Sequence, residues 1–144
     1  MPAPEFKKLR RIQNQDSKKP PVRVLYVEDA EVIRDTIARL LEIYGYDVNY
    51  ARNGQEGVEM AIHWHPDVIL MDLRMPIMDG YRAIQELKLN PKTRDIPVFV
   101  VSAWSSQKER DQARLAGADQ FFVKPPELTK LVAAIEHAVA AAKQ

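Results

Sequence analysis

Four short stretches of this chain carry side chains whose chemistry converges: Glu28-Asp29, Asp72, Ser102 and Lys124. Together they offer three carboxylates, one hydroxyl and one ammonium. Carboxylates crowded within a few ångströms repel, so either their pKa values rise or a cation sits among them. A set of oxygen ligands suits a hard divalent ion, and Mg2+ is the expected one. The chain has no cysteine, which excludes disulfide scaffolds, thiolate metal sites and cysteine nucleophiles. Taken alone, an acidic pair such as Glu28-Asp29 more often caps a helix or sits in a solvated turn. The company of Asp72, Ser102 and Lys124 tips the reading toward a metal.

Each of these groups ends a run with strand character. Val22 to Val27 is rich in β-branched and aromatic residues and leads to Glu28-Asp29. The nearly unbroken apolar run in Asp67 to Asp72 is the pattern of a strand buried on both faces of a parallel sheet, which predicts a central position. Ile96 to Val101 leads to Ser102, and Gln120 to Val123 leads to Lys124-Pro125. A weaker strand is predicted at Asp47 to Ala51.

Between the strands the period becomes helical. Ile33, Ile37, Leu40, Leu41 and Tyr44 make one stripe that Gly45 ends. Asn53 with Glu56 three residues later reads as an N-cap for a helix through Val58, Ala61 and Ile62 to about Trp64. Ile84, Leu87 and Tyr81 line a third helix closed by Pro91, Gln107 to Ala116 is a more polar fourth, and Leu128, Leu131, Val132, Ile135, Ala138 and Val139 line the last. Five strands alternating with five helices predict an α/β fold: a doubly wound parallel sheet, flavodoxin-like, with right-handed crossovers and helices on both faces. In such sheets ligands bind outside the carboxyl ends of the strands, so all four stretches reach one rim.

A length of 144 residues fits one domain, and 46% hydrophobic with 28% charged residues is the balance of a globular chain with a core. The near-neutral total hides an asymmetry: residues 1–21 carry a net charge of +4 and the remainder −3. Pro20-Pro21 marks the junction between a basic tail, 1–21, and a domain over 22–144. In the tail, Phe6, Leu9 and Ile12 recur at three-residue spacing among Lys7, Lys8, Arg10 and Arg11. The expectation is a solvated tail, the alternative a short basic amphipathic helix contacting a partner or an anionic surface such as lipid or nucleic acid. No apolar run approaches the roughly 20 residues that span a bilayer, and the amino end lacks the apolar core of a signal peptide. A cytoplasmic location is expected.

The four stretches, in this order, resemble the receiver domain of two-component response regulators. Asp29 precedes Asp72 by 43 residues, Asp72 precedes Ser102 by 30, and Ser102 precedes Lys124 by 22, spacings similar to that family's. Met75-Pro76-Ile77-Met78-Asp79-Gly80 resembles its loop after the third strand, and Gly117-Ala118-Asp119 followed by Lys124-Pro125 its fifth-strand signature. The similarity covers about Val22 to Ala141. It implies that Asp72 is the phosphoacceptor, taking a phosphoryl group from a histidine kinase or a histidine phosphotransfer protein. It implies Mg2+ on Asp29 and Asp72, on Glu28 through water and on the backbone carbonyl of Arg74, with Lys124 and the Ser102 hydroxyl on the phosphoryl oxygens and a cis bond before Pro125. Ser102 and Phe121 would be the switch pair, and Arg74, Ala103 and Trp104 would govern access to the site. Partners would read the surface made by the fourth helix, fifth strand and fifth helix, which also permits a homodimer. A chain ending after its fifth helix suggests a stand-alone receiver without a DNA-binding output domain, not an enzyme, catalysing only its own phosphoryl transfer and autodephosphorylation.

Several positions depart from the family's commonest pattern. Phe121 stands where tyrosine is frequent, and Pro126 where a large apolar residue is usual. The bulky pair Arg74 and Trp104 suggests a long-lived phosphorylated state. The alternative function is a receiver-like interaction module that works without phosphorylation. An enzyme on this fold is disfavoured, because no glycine-rich loop follows the first strand and no second acid stands two residues after Asp72. His63, Trp64 and His65 read as surface residues, and Met71, Met75 and Met78 as fillers between sheet and loop.

Overall fold

The computed structural model describes residues 20–143. The readings made on the tail, including the amphipathic spacing of Phe6, Leu9 and Ile12, lie outside the described residues. The strands are β1 (Arg23–Val27), β2 (Asp47–Ala51), β3 (Val68–Met71), β4 (Val98–Ser102) and β5 (Gln120–Val123). The helices are α1 (Glu31–Ile43), α2 (Gly54–Trp64), α3 (Gly80–Leu89), α4 (Gln107–Ala116) and α5 (Leu128–Ala142). All strand pairs are parallel and the order is β2-β1-β3-β4-β5, with the apolar β3 at the centre, as its sequence predicts.

Side chains alternate across each strand, so the sheet divides the core into two layers. Leu25, Val27, Ile69, Met71, Val98 and Val100 face α2, α3 and α4 through Ala61, Ala83, Ile84, Leu87, Ala113 and Ala116. Val24, Tyr26, Val68, Leu70, Phe99 and Val101 face α1 and α5 through Ile37, Leu41, Leu131, Val132 and Ile135. Neighbours on β5 part company: Phe121 packs in the first layer and Phe122 in the second, its ring 5.9 Å from that of Phe99.

Caps and close approaches fix the helix starts. Asn53 and Asp79 accept the backbone N–H groups of Glu56 and Arg82, capping α2 and α3. Gly80 opens α3 against the end of β3, where a Cβ would lie 2.1 Å from the carbonyl oxygen of Asp72. Gly54 likewise presses α2 onto the Met78 carbonyl, to which its N–H donates at 3.0 Å. These two approaches pin the loop that follows Asp72.

Two expectations need correction. Ile33 is not on the buried stripe of α1: it is 42% exposed, and Arg34 is buried at 5% in its stead. The guanidinium stacks 4.3 Å from the ring centre of Tyr50 and donates to the carbonyl of Glu28, so an aromatic face and a hydrogen bond compensate burial of the cation. Strand β4 starts at Val98 rather than Ile96, because the Ile96 N–H turns back to Thr93 and Pro97 has no N–H for the ladder.

Candidate functional site

The carboxyl ends of the strands meet at one rim. The register that sets Val27 beside Met71 leaves Glu28 and Asp72 side by side one residue further on. Their backbones stay tied to the sheet, with Glu28 donating to Ala51 and Asp72 to Val27, both at 3.0 Å. Glu28, Asp29 and Asp72 each present a carboxylate oxygen within 4.8 Å of the others. Glu28 and Asp72 are buried and Asp29 is exposed, so the cluster has an open side. Ala30 holds the N-cap position of α1 without a side-chain cap bond, so Asp29 is not a helix cap.

Lys124 closes the cluster from β5. Its ammonium donates to Glu28 Oε1 and lies 3.4 Å from Asp72 Oδ2. The other Asp72 oxygen accepts the Leu73 N–H at 2.8 Å. Burial, followed by the neighbouring charge of Glu28, pushes the Asp72 carboxyl up to about 7, against the pull of Lys124. Glu28 moves the other way: burial is the largest single influence and disfavours its charge, but the hydrogen bonds from Lys124, Asp72 and the Ala30 N–H and the charge of Lys124 together outweigh it and hold the carboxyl below the usual carboxylate range. Tyr26 donates to the same Glu28 oxygen at 3.3 Å, and its hydroxyl is driven up by burial and by the charges of Glu28 and Asp72.

Ser102 and the access residues line the other side. Ser102 is buried, its Oγ accepts the Trp104 N–H at 3.1 Å, and its carbonyl accepts the Lys124 N–H at 3.0 Å. The Lys124–Pro125 peptide is cis. Ala103 and Trp104 are exposed. The Arg74 guanidinium lies 4.3 Å from the Trp104 ring centre and 3.0 Å from Glu109 Oε1. Phe121 is half-buried under Arg110, whose guanidinium is 4.7 Å from the ring centre and whose Nε donates to the Ser105 carbonyl. His63 and His65 are exposed at the end of α2, but Trp64 between them is not a surface residue as its sequence suggests: it is half-buried, packed against the core and covered by the Arg23 guanidinium 5.3 Å from its ring centre.

Sequence reasoning missed four contributors: Tyr26, Arg34, Glu109 and Arg110. Tyr26 had a readable signal, since residues two apart on a strand share a face and Glu28 follows at that spacing. Glu109 had none, because its partners Arg74 and Tyr81 are 35 and 28 residues away. Tyr81 donates to the second Glu109 oxygen, which holds that carboxyl low, while burial and this bond push the phenol up to about 12.

A parallel α/β sheet in the order β2-β1-β3-β4-β5, with three carboxylates and a lysine at its carboxyl edge, defines a receiver-type protein. Residues 24–136 match the family model of the response regulator receiver domain, and the chain belongs to that family. It is 41% identical over 120 residues to the transcriptional regulatory protein PdtaR of Mycobacterium tuberculosis, covering 83% of this chain and 57% of that protein. It is 34% identical over 113 residues to the DNA-binding dual master transcriptional regulator RpaA of Synechocystis, covering 78% of this chain and 47% of that protein. The chain thus spans about half the length of these curated relatives. The fold matches, with a TM-score of 0.79 and 29% identity over 84% of this chain and 99% of the other, the receiver domain of the sensor histidine kinase PA1611 from Pseudomonas aeruginosa, a structure with magnesium coordinated in its active site cleft. Receiver domains bind Mg2+ at an acidic site, and the oxygen-only cluster of Glu28, Asp29 and Asp72 fits such an ion. Among the described residues, no helix is long and apolar enough to cross a membrane.

Proposed function

We propose that this chain is a phosphorylation-dependent switch whose Asp72 carboxylate receives a phosphoryl group from a histidine kinase or a histidine phosphotransfer protein. The observation that carries this reading is the placement of Asp72: at the end of the central strand, beside two further carboxylates, with the Lys124 ammonium 3.4 Å away. An Asp72 oxygen attacks phosphorus, the bond from phosphorus to the donor histidine nitrogen breaks, and the electron pair leaves with the imidazole. Bound Mg2+ supplies neutralisation of charge on the transferring group. Asp29 and Asp72 would hold the ion directly and Glu28 through water, and the Arg74 carbonyl would add a ligand. The Lys124 ammonium, which sits against Glu28 and Asp72, would pair with the phosphoryl oxygens, and the Ser102 hydroxyl would donate a hydrogen bond to them.

The conformational readout follows from Ser102 and Phe121. Movement of the Ser102–Ser105 loop toward the phosphoryl group disturbs the Arg110 contact that covers Phe121, which changes the face formed by α4, β5 and α5. A downstream protein, or a second copy of the chain, reads that face, and the basic tail adds a contact to a partner or an anionic surface. The shift of state equals the differential interaction of the phosphoryl group with the two conformations.

Incubation with acetyl phosphate tests the reading by intact mass. Incorporation of one phosphoryl group that requires both Mg2+ and Asp72, and that is lost in Asp72→Asn, is expected. Failure to incorporate from acetyl phosphate and from a panel of phosphorylated histidine kinases would favour a module that binds partners without phosphorylation.

A further inference from the structure

Beside the acidic cluster lies a second polar group that the phosphoryl chemistry above does not use. Arg74 follows Asp72 by two residues, and its guanidinium is held in two ways: stacked on Trp104 at 4.3 Å and paired with Glu109 Oε1 at 3.0 Å. The Trp104 backbone is held next to the site, since its main-chain N–H donates to Ser102 Oγ. Glu109 sits in the first turn of α4, where a carboxylate is favoured by the helix dipole and where the Ser106 hydroxyl caps its own N–H at 3.2 Å. Its second oxygen is taken by the Tyr81 hydroxyl from α3. One carboxylate therefore ties the loop after Asp72 to both α3 and α4.

We propose that Glu109 is a positioning residue for the phosphoryl site, competing with a phosphoryl group on Asp72 for the guanidinium of Arg74. This rests on the reading of Asp72 as phosphoacceptor. The charges set the direction of the exchange. Glu109 offers a single negative charge, whereas a phosphoryl group brings close to two and three acceptor oxygens, within reach of a flexible side chain rooted two residues away. Arg74 leaves Glu109 as the phosphoryl group arrives, the stack on Trp104 opens, and the first turn of α4 loses its tie to the loop. The unphosphorylated state is thereby favoured by Glu109, and the phosphorylated state is shorter-lived than the Arg74–Trp104 pair alone would make it.

The test compares the parent with Glu109→Gln, which keeps size and polarity, and Tyr81→Phe, each also in an Arg74→Ala background. After acetyl phosphate and Mg2+, the decay of the phosphorylated mass is followed, together with Trp104 emission in a Trp64→Phe background during titration with beryllofluoride. Glu109→Gln is expected to lengthen the phosphorylated half-life and tighten beryllofluoride binding by about fivefold, the scale of one charge-assisted hydrogen bond released to a new acceptor. Tyr81→Phe acts in the same direction by about twofold, since it removes only the support of Glu109. Both effects vanish when Arg74 is alanine. A Glu109→Gln effect that persists without Arg74 shows a structural role for Glu109 and overturns the proposal, as does a half-life that is unchanged or shortened. If the parent takes no phosphate, the Asp72 reading falls and this proposal with it.

Discussion

Asp72→Asn should stabilise the protein in the absence of divalent metal, and increasingly so as the pH rises. Burial and the charge of Glu28 lift the Asp72 carboxyl from 3.8 to about 7. A folded-state value above the unfolded one means that the parent is unimpaired below the unfolded value and loses stability through the window up to the folded value. The full shift of about three units corresponds to on the order of 4 kcal/mol, reached once the pH exceeds the folded value. At pH 5 the folded protein retains the proton while the unfolded chain has lost it, which limits the penalty to less than half of that, on the order of 2 kcal/mol. The variant should therefore gain on the parent by roughly 2 to 3 kcal/mol between pH 5 and pH 8. Asparagine keeps an oxygen for the Leu73 N–H, so this bond does not obscure the comparison. Urea unfolding in EDTA at four pH values measures the gap. With saturating Mg2+ the gap at pH 8 should narrow, because the ion stabilises the parent, with its third carboxylate, more than the variant. A gap independent of pH, or one that widens toward acid, would refute the assignment of Asp72 as the carboxyl that burial and Glu28 keep partly protonated.

Two further substitutions test how the loop after Asp72 is held. Gly80→Ala places a methyl carbon 2.1 Å from the Asp72 carbonyl oxygen and 2.8 Å from the Leu73 Cα, so backbone must shift; a loss of about 2 to 4 kcal/mol in denaturant unfolding is expected, with slower phosphorylation of Asp72. Ile77 adopts a φ of 70° while 83% exposed, a conformation costly for a β-branched residue and easy for asparagine, so Ile77→Asn should raise the unfolding free energy by about 1 kcal/mol; an unchanged or lower midpoint would mean that the surrounding loop, and not residue 77, bears the strain.

The placement of the site was legible in the sequence because each functional group ends a strand, and strand ends in a parallel sheet share one edge. The central position of Val68–Met71 was equally legible from its unbroken apolar run. Period alone misjudged α1. Arg34 enters the core because Tyr50 on β2 offers an aromatic face and the Glu28 carbonyl an acceptor, and neither neighbour is visible from the spacing of apolar residues. The Arg74–Glu109–Tyr81 group was illegible for a related reason. Its members belong to a loop and two helices whose distance depends on how α3 and α4 pack over the sheet. Local propensity carries no record of that packing.

The two phenylalanines of β5 give the sheet a mechanical meaning. Because Phe121 and Phe122 are anchored on opposite sides, the sheet acts as a bulkhead between two separately packed compartments. A rotation of the Phe121 ring has to displace only Arg110 and its neighbours near α4, while Phe122 stays locked against Phe99 and keeps β5 in register. The packing of α1 and α5 on the far side of the sheet is thus kept separate from the side chains around Phe121.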